Sequence, residues 1–141
     1  MATQIDCDTP SFIPKGLFIH PKDQILGAVR GLITFDPARV TLYLDEAQRR
    51  GRPFGTTLAK RLAGKPLLPA QVLNHLLAHP ELIPDAWKRI PCIYFWGTVY
   101  RDVDDGLCVR CLSWDVREWG SGLRSLSREF DSSRPAALLE R

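Results

Sequence analysis

The sequence predicts an α+β protein in which N-terminal helices pack on a C-terminal three-stranded antiparallel β-meander. Two observations carry that expectation. Apolar residues recur at helical spacing in blocks between positions 36 and 88, and from Cys92 onward the period changes to alternation. A third observation is size: 141 residues, 45% hydrophobic and 25% charged, are enough for one unaided core. The chain therefore reads as a single domain, 1–141. It comprises an irregular N-terminal segment (1–21), a helical part (36–88) and a β-meander (92–130).

Pro10, Pro14 and Pro21 remove backbone donors from the first segment and push their preceding residues away from helix. Leu17-Phe18-Ile19 is a candidate short strand within it. From Asp23 to Ile33 the apolar set Ile25, Leu26, Val29, Leu32 and Ile33 fits a helical stripe weakened by Gly27 and Gly31. At Asp36-Pro37 a capping carboxylate precedes a proline suited to the first helical position. Val40, Tyr43, Leu44 and Ala47 then share a face, which predicts a helix ending at Gly51 and Pro53. A second helix, capped by Thr56 or Thr57, turns Leu58, Ala59 and Leu62 inward. A third runs from about Pro69 to His79 and buries Val72, Leu73, Leu76 and Leu77. One further turn fits between Pro80 and Pro91.

Cys92–Arg101 and Leu107–Trp114 alternate as strands around the Asp-Gly turn signal of 102–106. A second turn at 115–118 leads to a weaker third strand from Trp119. The tail Pro135–Leu139 reads as a short capped helix. If Tyr100 lies opposite Cys108, the register pairs Thr98 with Arg110, Trp96 with Leu112 and Tyr94 with Trp114. One face is then aliphatic: Ile93, Phe95, Val99, Leu107, Val109 and Cys111. The other carries Tyr94, Trp96, Tyr100 and Trp114 around Arg110. Left open to solvent, that face is a stacking platform with a central cation, suited to a protein or nucleic-acid partner. Covered by the N-terminal segment or the third strand, it is core. In this register Trp119 and Leu123 join the aromatic side. Arg124 falls on the aliphatic side, a misfit unless a bulge near Gly120 and Gly122 resets the phase.

Composition narrows the function classes. Net charge is +3, and Arg far outnumbers Lys, but the charge is spread along the chain without a basic run. Met1–Asp6 lacks a basic stretch followed by an apolar one, and the longest apolar-leaning run, Ile25–Phe35, is too short and polar to span a bilayer. A cytoplasmic protein with reduced cysteines is expected.

No motif announces catalysis. Cys108 and Cys111 have knuckle spacing, but on a strand they point to opposite faces and share neither metal nor disulfide. His75 and His79 stand one helical turn apart with no third ligand in view. Asp102, Asp104 and Asp105 crowd one turn, where turn geometry accounts for them. No Gly-rich phosphate loop follows a strand. The expectation is therefore no metal, no cofactor and no catalytic residue, with an enzyme the least favoured class.

The second and third helices have the cadence of a helix-turn-helix, and the hairpin could serve as a wing. Gln71, Asn74 and His75 would then read bases while Lys60, Arg61 and Lys65 meet phosphates. This winged-helix-like nucleic-acid binder is the alternative to a non-enzymatic binding module built on the aromatic face. Its weakness is a recognition helix without Lys or Arg.

Three runs also resemble a small uncharacterised bacterial protein family: Val72-Leu73-Asn74-His75-Leu76-Leu77-Ala78-His79-Pro80-Glu81-Leu82-Ile83-Pro84 to Trp87-Lys88, Tyr94-Phe95-Trp96-Gly97-Thr98-Val99-Tyr100-Arg101, and Leu107-Cys108-Val109-Arg110. The closing Pro135-Ala136-Ala137-Leu138-Leu139 resembles it too. Its most specific element is the Phe-Trp-Gly-Thr strand motif. Family members are more aromatic where this chain has Cys111, Ser113 and the Gly-Ser stretch after Trp119. The resemblance implies one compact unit and no particular activity.

Overall fold

A computed structural model describes residues 3–140. It is mixed α+β, as expected, but the predicted arrangement of helices on a three-stranded meander is incorrect. Three α-helices accompany a six-stranded mixed sheet and a separate two-stranded ribbon. The ribbon pairs β1 (Thr3–Asp6) with β3 (Leu32–Phe35). The large sheet has the order β4 (Val40–Tyr43), β8 (Ala136–Leu139), β5 (Ile93–Asp102), β6 (Leu107–Asp115), β7 (Glu118–Ser125), and β2 (Leu17–Phe18) adds to β5. The helices are α1 (Glu46–Arg50), α2 (Gly55–Leu62) and α3 (Ala70–Ala78).

The predicted meander is present as β5–β6–β7, and several local readings around it fail; the stripe expected as helix over 23–33 is irregular, and its Leu32 and Ile33 open strand β3. The helix expected from Asp36 is a 3-10 turn, Pro37–Arg39, which Asp36 does cap, followed by strand β4 and then α1. Val40-Thr41-Leu42-Tyr43 is rich in residues that suit a pleated, half-buried surface, and β8 gives it a partner. The tail is a strand, not a helix. Ala136–Leu139 is antiparallel to β4 and begins parallel to β5 at Tyr94, so pairing on both sides overrides the helix preference of Ala and Leu. The expected threonine cap of α2 is also replaced. The N–H groups of Gly55 and Thr56 donate to the carbonyls of Arg128 and Leu126 at 3.0 and 3.1 Å. Gly55 permits that approach, since a Cβ there would lie 2.6 Å from Leu126 Cα.

The main departure lies inside β5. Tyr100 pairs with Cys108, as the turn requires, but Phe95 pairs with Arg110 and Tyr94 with Cys111. Five steps along β5 are thus matched by two along β6, leaving three extra residues around Gly97 and Thr98. An odd slip moves every side chain beyond it to the opposite face. Ile93 and Phe95 consequently join Leu112 and the α3 residues Val72, Leu73 and Leu76 in one core. Tyr94 and Trp96 join Val99, Val109 and Cys111 in a second core, beneath Leu58 and Leu62 of α2 and against Phe130.

An irregular strand exposes backbone groups, and the fold satisfies them in sequence along this edge of β5. Beyond β8, the Gly97 N–H donates to the Leu68 carbonyl at 3.0 Å. The Thr98 hydroxyl accepts from Ala70 N–H at 2.9 Å, capping α3, whose own cap position is a proline. The Gln24 amide acts as a substitute strand, accepting from Val99 N–H at 2.8 Å and donating to the Val99 carbonyl at 2.9 Å. Strand β2 then pairs with Arg101 and Asp102. Arg101 is held by Asp23 through two hydrogen bonds, of 2.9 and 2.5 Å.

This edge supplies two destabilising substitutions, and Gly120 of β7 supplies a control. A Cβ on Gly97 would meet backbone atoms of Leu67, Leu68 and Pro69 at 2.5–2.6 Å. Gly97→Ala should therefore cost at least the upper end of the about 1–3 kcal/mol typical of overpacking. Gly120→Ala, where a Cβ meets nothing within 4 Å, should stay within about 0.5 kcal/mol of the parent in urea unfolding. Gln24→Ala orphans both polar groups of Val99 and should cost about 1–3 kcal/mol by the same measurement.

Candidate functional site

The slip divides the expected aromatic face. Tyr94, Trp96 and Tyr100 are each no more than 1% exposed, so the solvent-facing platform predicted from alternation is not formed. Tyr94 and Trp96 pack on Phe130 with ring centroids 5.1 and 5.2 Å apart. The Tyr94 hydroxyl accepts from Arg134 at 2.7 Å. Tyr100 remains on the Arg110 side, buried with Ala70 and Cys108 and packed by Leu17. Trp114, partly exposed, lies at the far end of β6 against Trp119, with the Lys88 ammonium 4.2 Å over its ring. No bulge interrupts β6–β7: Arg124 sits opposite Val109 on the aliphatic side. Its head donates to the Glu129 carbonyl at 2.6 and 3.0 Å and covers the Phe130 ring.

The residues named for the winged-helix reading also separate. Lys60, Arg61 and Lys65 belong to α2 and the turn after it. Arg61 is paired with the buried Asp45 carboxylate that caps α1, and Lys65 lies over the Tyr43 ring at 4.6 Å. Gln71, Asn74 and His75 occupy one face of α3 and line a different place, an open cleft of about 470 Å³. Its other wall is the N-terminal segment, with Ile5, Asp6, Thr9, Pro10, Ser11 and Phe12 among the lining residues. Asn74 joins this helix face to the sheet by accepting from Arg110 Nη1 at 2.7 Å. Tertiary structure therefore unites Arg110 of one expected site with Gln71, Asn74 and His75 of the other.

The cleft wall holds buried polar atoms that the described residues leave unpaired. Gln71 donates its Nε2 to the Thr9 carbonyl at 2.8 Å, which orients its Oε1, and that oxygen is buried without a partner. His75 Nε2 is likewise buried and unpartnered. Burial, and then the neighbouring His79 ring 4.6 Å away, lowers the His75 pKa. Asp6 is held anionic by its hydrogen bond from Asp8 N–H and by Thr9. Buried polar groups without partners are rare in folded chains.

Sequence reasoning missed Phe12 and the N-terminal wall. Only the cluster of prolines there marked a segment that would run without regular pairing across other elements. Cys108 and Cys111 lie in different cores, and Asp102 binds the N–H groups of Asp104 and Gly106 in its turn. Among the described residues no helix is long and apolar enough to cross a membrane. Comparison with family models, curated proteins and solved structures finds no match, so the reading rests on the chain's own residues.

His75 also supplies a pH prediction. Its folded pKa lies below the usual value of about 6.5, so the unfolded chain binds the proton more readily. Stability should be full above that value and decline as pH falls through it. His75→Gln should flatten the decline between pH 7 and 5 in urea midpoints, whereas parent and variant falling in parallel would place the effect elsewhere.

Proposed function

We propose that this chain is a non-enzymatic recognition module that binds a peptide segment of a protein partner in the cleft between α3 and the N-terminal segment. The observation that carries this reading is that two residues of the cleft wall, Gln71 and His75, each hold a buried polar side-chain atom with no partner among the described residues. Peptide N–H groups are the donors that suit acceptors flanked by apolar surface from Ile5, Pro10 and Phe12. The Asp6 carboxylate extends the preference toward donor-bearing or cationic side chains. The four cysteines, all thiols, suit a cytoplasmic setting.

Selection from a random peptide library against the whole chain should return sequences that bind in the cleft. Gln71→Met and His75→Phe keep the bulk of the wall but remove its acceptors. Each should weaken the selected peptides at least tenfold, about 1.4 kcal/mol, by fluorescence anisotropy. Unchanged affinities, or no peptide recovered, would refute the cleft as the binding site.

A further inference from the structure

Arg110 reaches from β6 to Asn74 of α3 yet is only 4% exposed. A buried charge is ordinarily paired with its opposite, because desolvating a lone ion is costly. No carboxylate among the described residues pairs with this one. Among the described residues its Nη1 donates to the neutral Asn74 oxygen, its Nη2 makes only a long 3.5 Å contact with Ser121 Oγ, and its Nε makes no hydrogen bond of ordinary geometry. The Phe12 ring lies over the guanidinium at 5.7 Å. Beside it is a pocket of about 190 Å³ lined by Phe12, Pro14, Arg110, Ser121, Gly122 and Leu123. The Tyr100 hydroxyl, buried on the same side of the sheet, faces the Arg110 guanidinium, which counters the upward push of burial on its pKa.

We infer that this pocket is an anion subsite that takes a carboxylate carried on an apolar body, with the Nε–Nη2 edge of Arg110 as its fork. A single guanidinium matches a monoanion in charge, and its free edge matches the two oxygens of a carboxylate. A phosphate dianion calls for more than one cation, and the pocket holds only Arg110. Asn74 fixes the guanidinium plane from the opposite edge, while Phe12, Pro14 and Leu123 supply apolar walls. The acid is either a small molecule or the C-terminal carboxylate of a peptide, and both present the same group. This subsite stands on Arg110 and does not depend on the acceptors of the neighbouring cleft.

The test titrates the whole chain with phenylacetate and, separately, with phenylacetamide at constant ionic strength, following the backbone amide resonances of Ser121, Gly122 and Leu123. The acid should shift them saturably and the amide at least tenfold more weakly. Arg110→Met should lower acid affinity at least tenfold while leaving the melting temperature equal or higher, because it removes an uncompensated buried charge. A guanidinium with a purely structural role would instead lower that temperature. Phe12→Ala, at an exposed position, keeps the proposal testable should the Met variant fail to fold, and it should weaken phenylacetate at least threefold. A phenylalanyl dipeptide with a free C-terminus, compared with its amide, separates the peptide source from the small-molecule one. Equal binding of acid and amide, no effect of Phe12→Ala, or tighter binding of inorganic phosphate than of phenylacetate would each overturn the assignment.

Discussion

The architecture depends on how the backbone of β5 is satisfied where it departs from its partner. Between Phe95 and Tyr100 the strand carries three residues that β6 does not match, and left alone these would strand buried N–H and carbonyl groups. Three parts of the chain resolve this: the Leu68 carbonyl accepts from the Gly97 N–H, Arg30 donates to the Gly97 carbonyl, and the Gln24 side chain pairs with both polar groups of Val99. Each contribution is modest alone. Together they tie the N-terminal segment, the start of α3 and the sheet to one another, so helix placement and strand register are decided at the same point. The Phe-Trp-Gly-Thr run takes its physical meaning here. Gly97 lets the 67–69 backbone cross at close range, and Thr98 caps the helix that follows that crossing.

The same slip makes a two-core protein from a hairpin that alternation would have divided into one greasy face and one ring-lined face. A three-residue offset sends Ile93 and Phe95 to the side of Arg110 and Tyr100, and sends Tyr94 and Trp96 beneath α2. Both faces of β5 are then buried, which is why eight consecutive residues, Ile93 to Tyr100, are fully enclosed. Fully enclosed strands are ordinarily aliphatic runs. Here the large rings fill space between sheet and helices, and their mutual packing contributes about 0.5–1.5 kcal/mol per aromatic pair beyond area burial.

What remains at the surface is chemically uneven. Arg61 of α2 is held on Asp45, and Lys65 in the turn after it lies over the Tyr43 ring. The α3 face opposite the N-terminal segment leaves acceptors unmet, and Arg110 leaves donors unmet, within one connected region that Phe12 borders on both sides. A chain stabilised only by its own contacts would gain from pairing or deleting such groups. Their persistence in one region is the physical basis for reading it as a place of recognition.

By itself the sequence determined the mixed α+β class, the second and third helices, the β5–β6–β7 meander with its Tyr100–Cys108 register at the turn, and the alternation along β6. Those features are set by local periodicity, turn chemistry and neighbouring residues, which a chain carries without reference to distant parts. Tertiary structure decided the rest. Val40–Tyr43 and Ala136–Leu139 became strands because each supplies the other's hydrogen bonds across a large sequence separation. Arg110, legible as the centre of a ring-lined face, turned out to be buried beside Asn74 and Phe12 instead. The reason is that a bulge, unlike a turn, is paid for by groups far away in sequence. Gln24 and Leu68 stabilise an offset at Gly97 and Thr98 that no pattern within residues 92–114 could reveal.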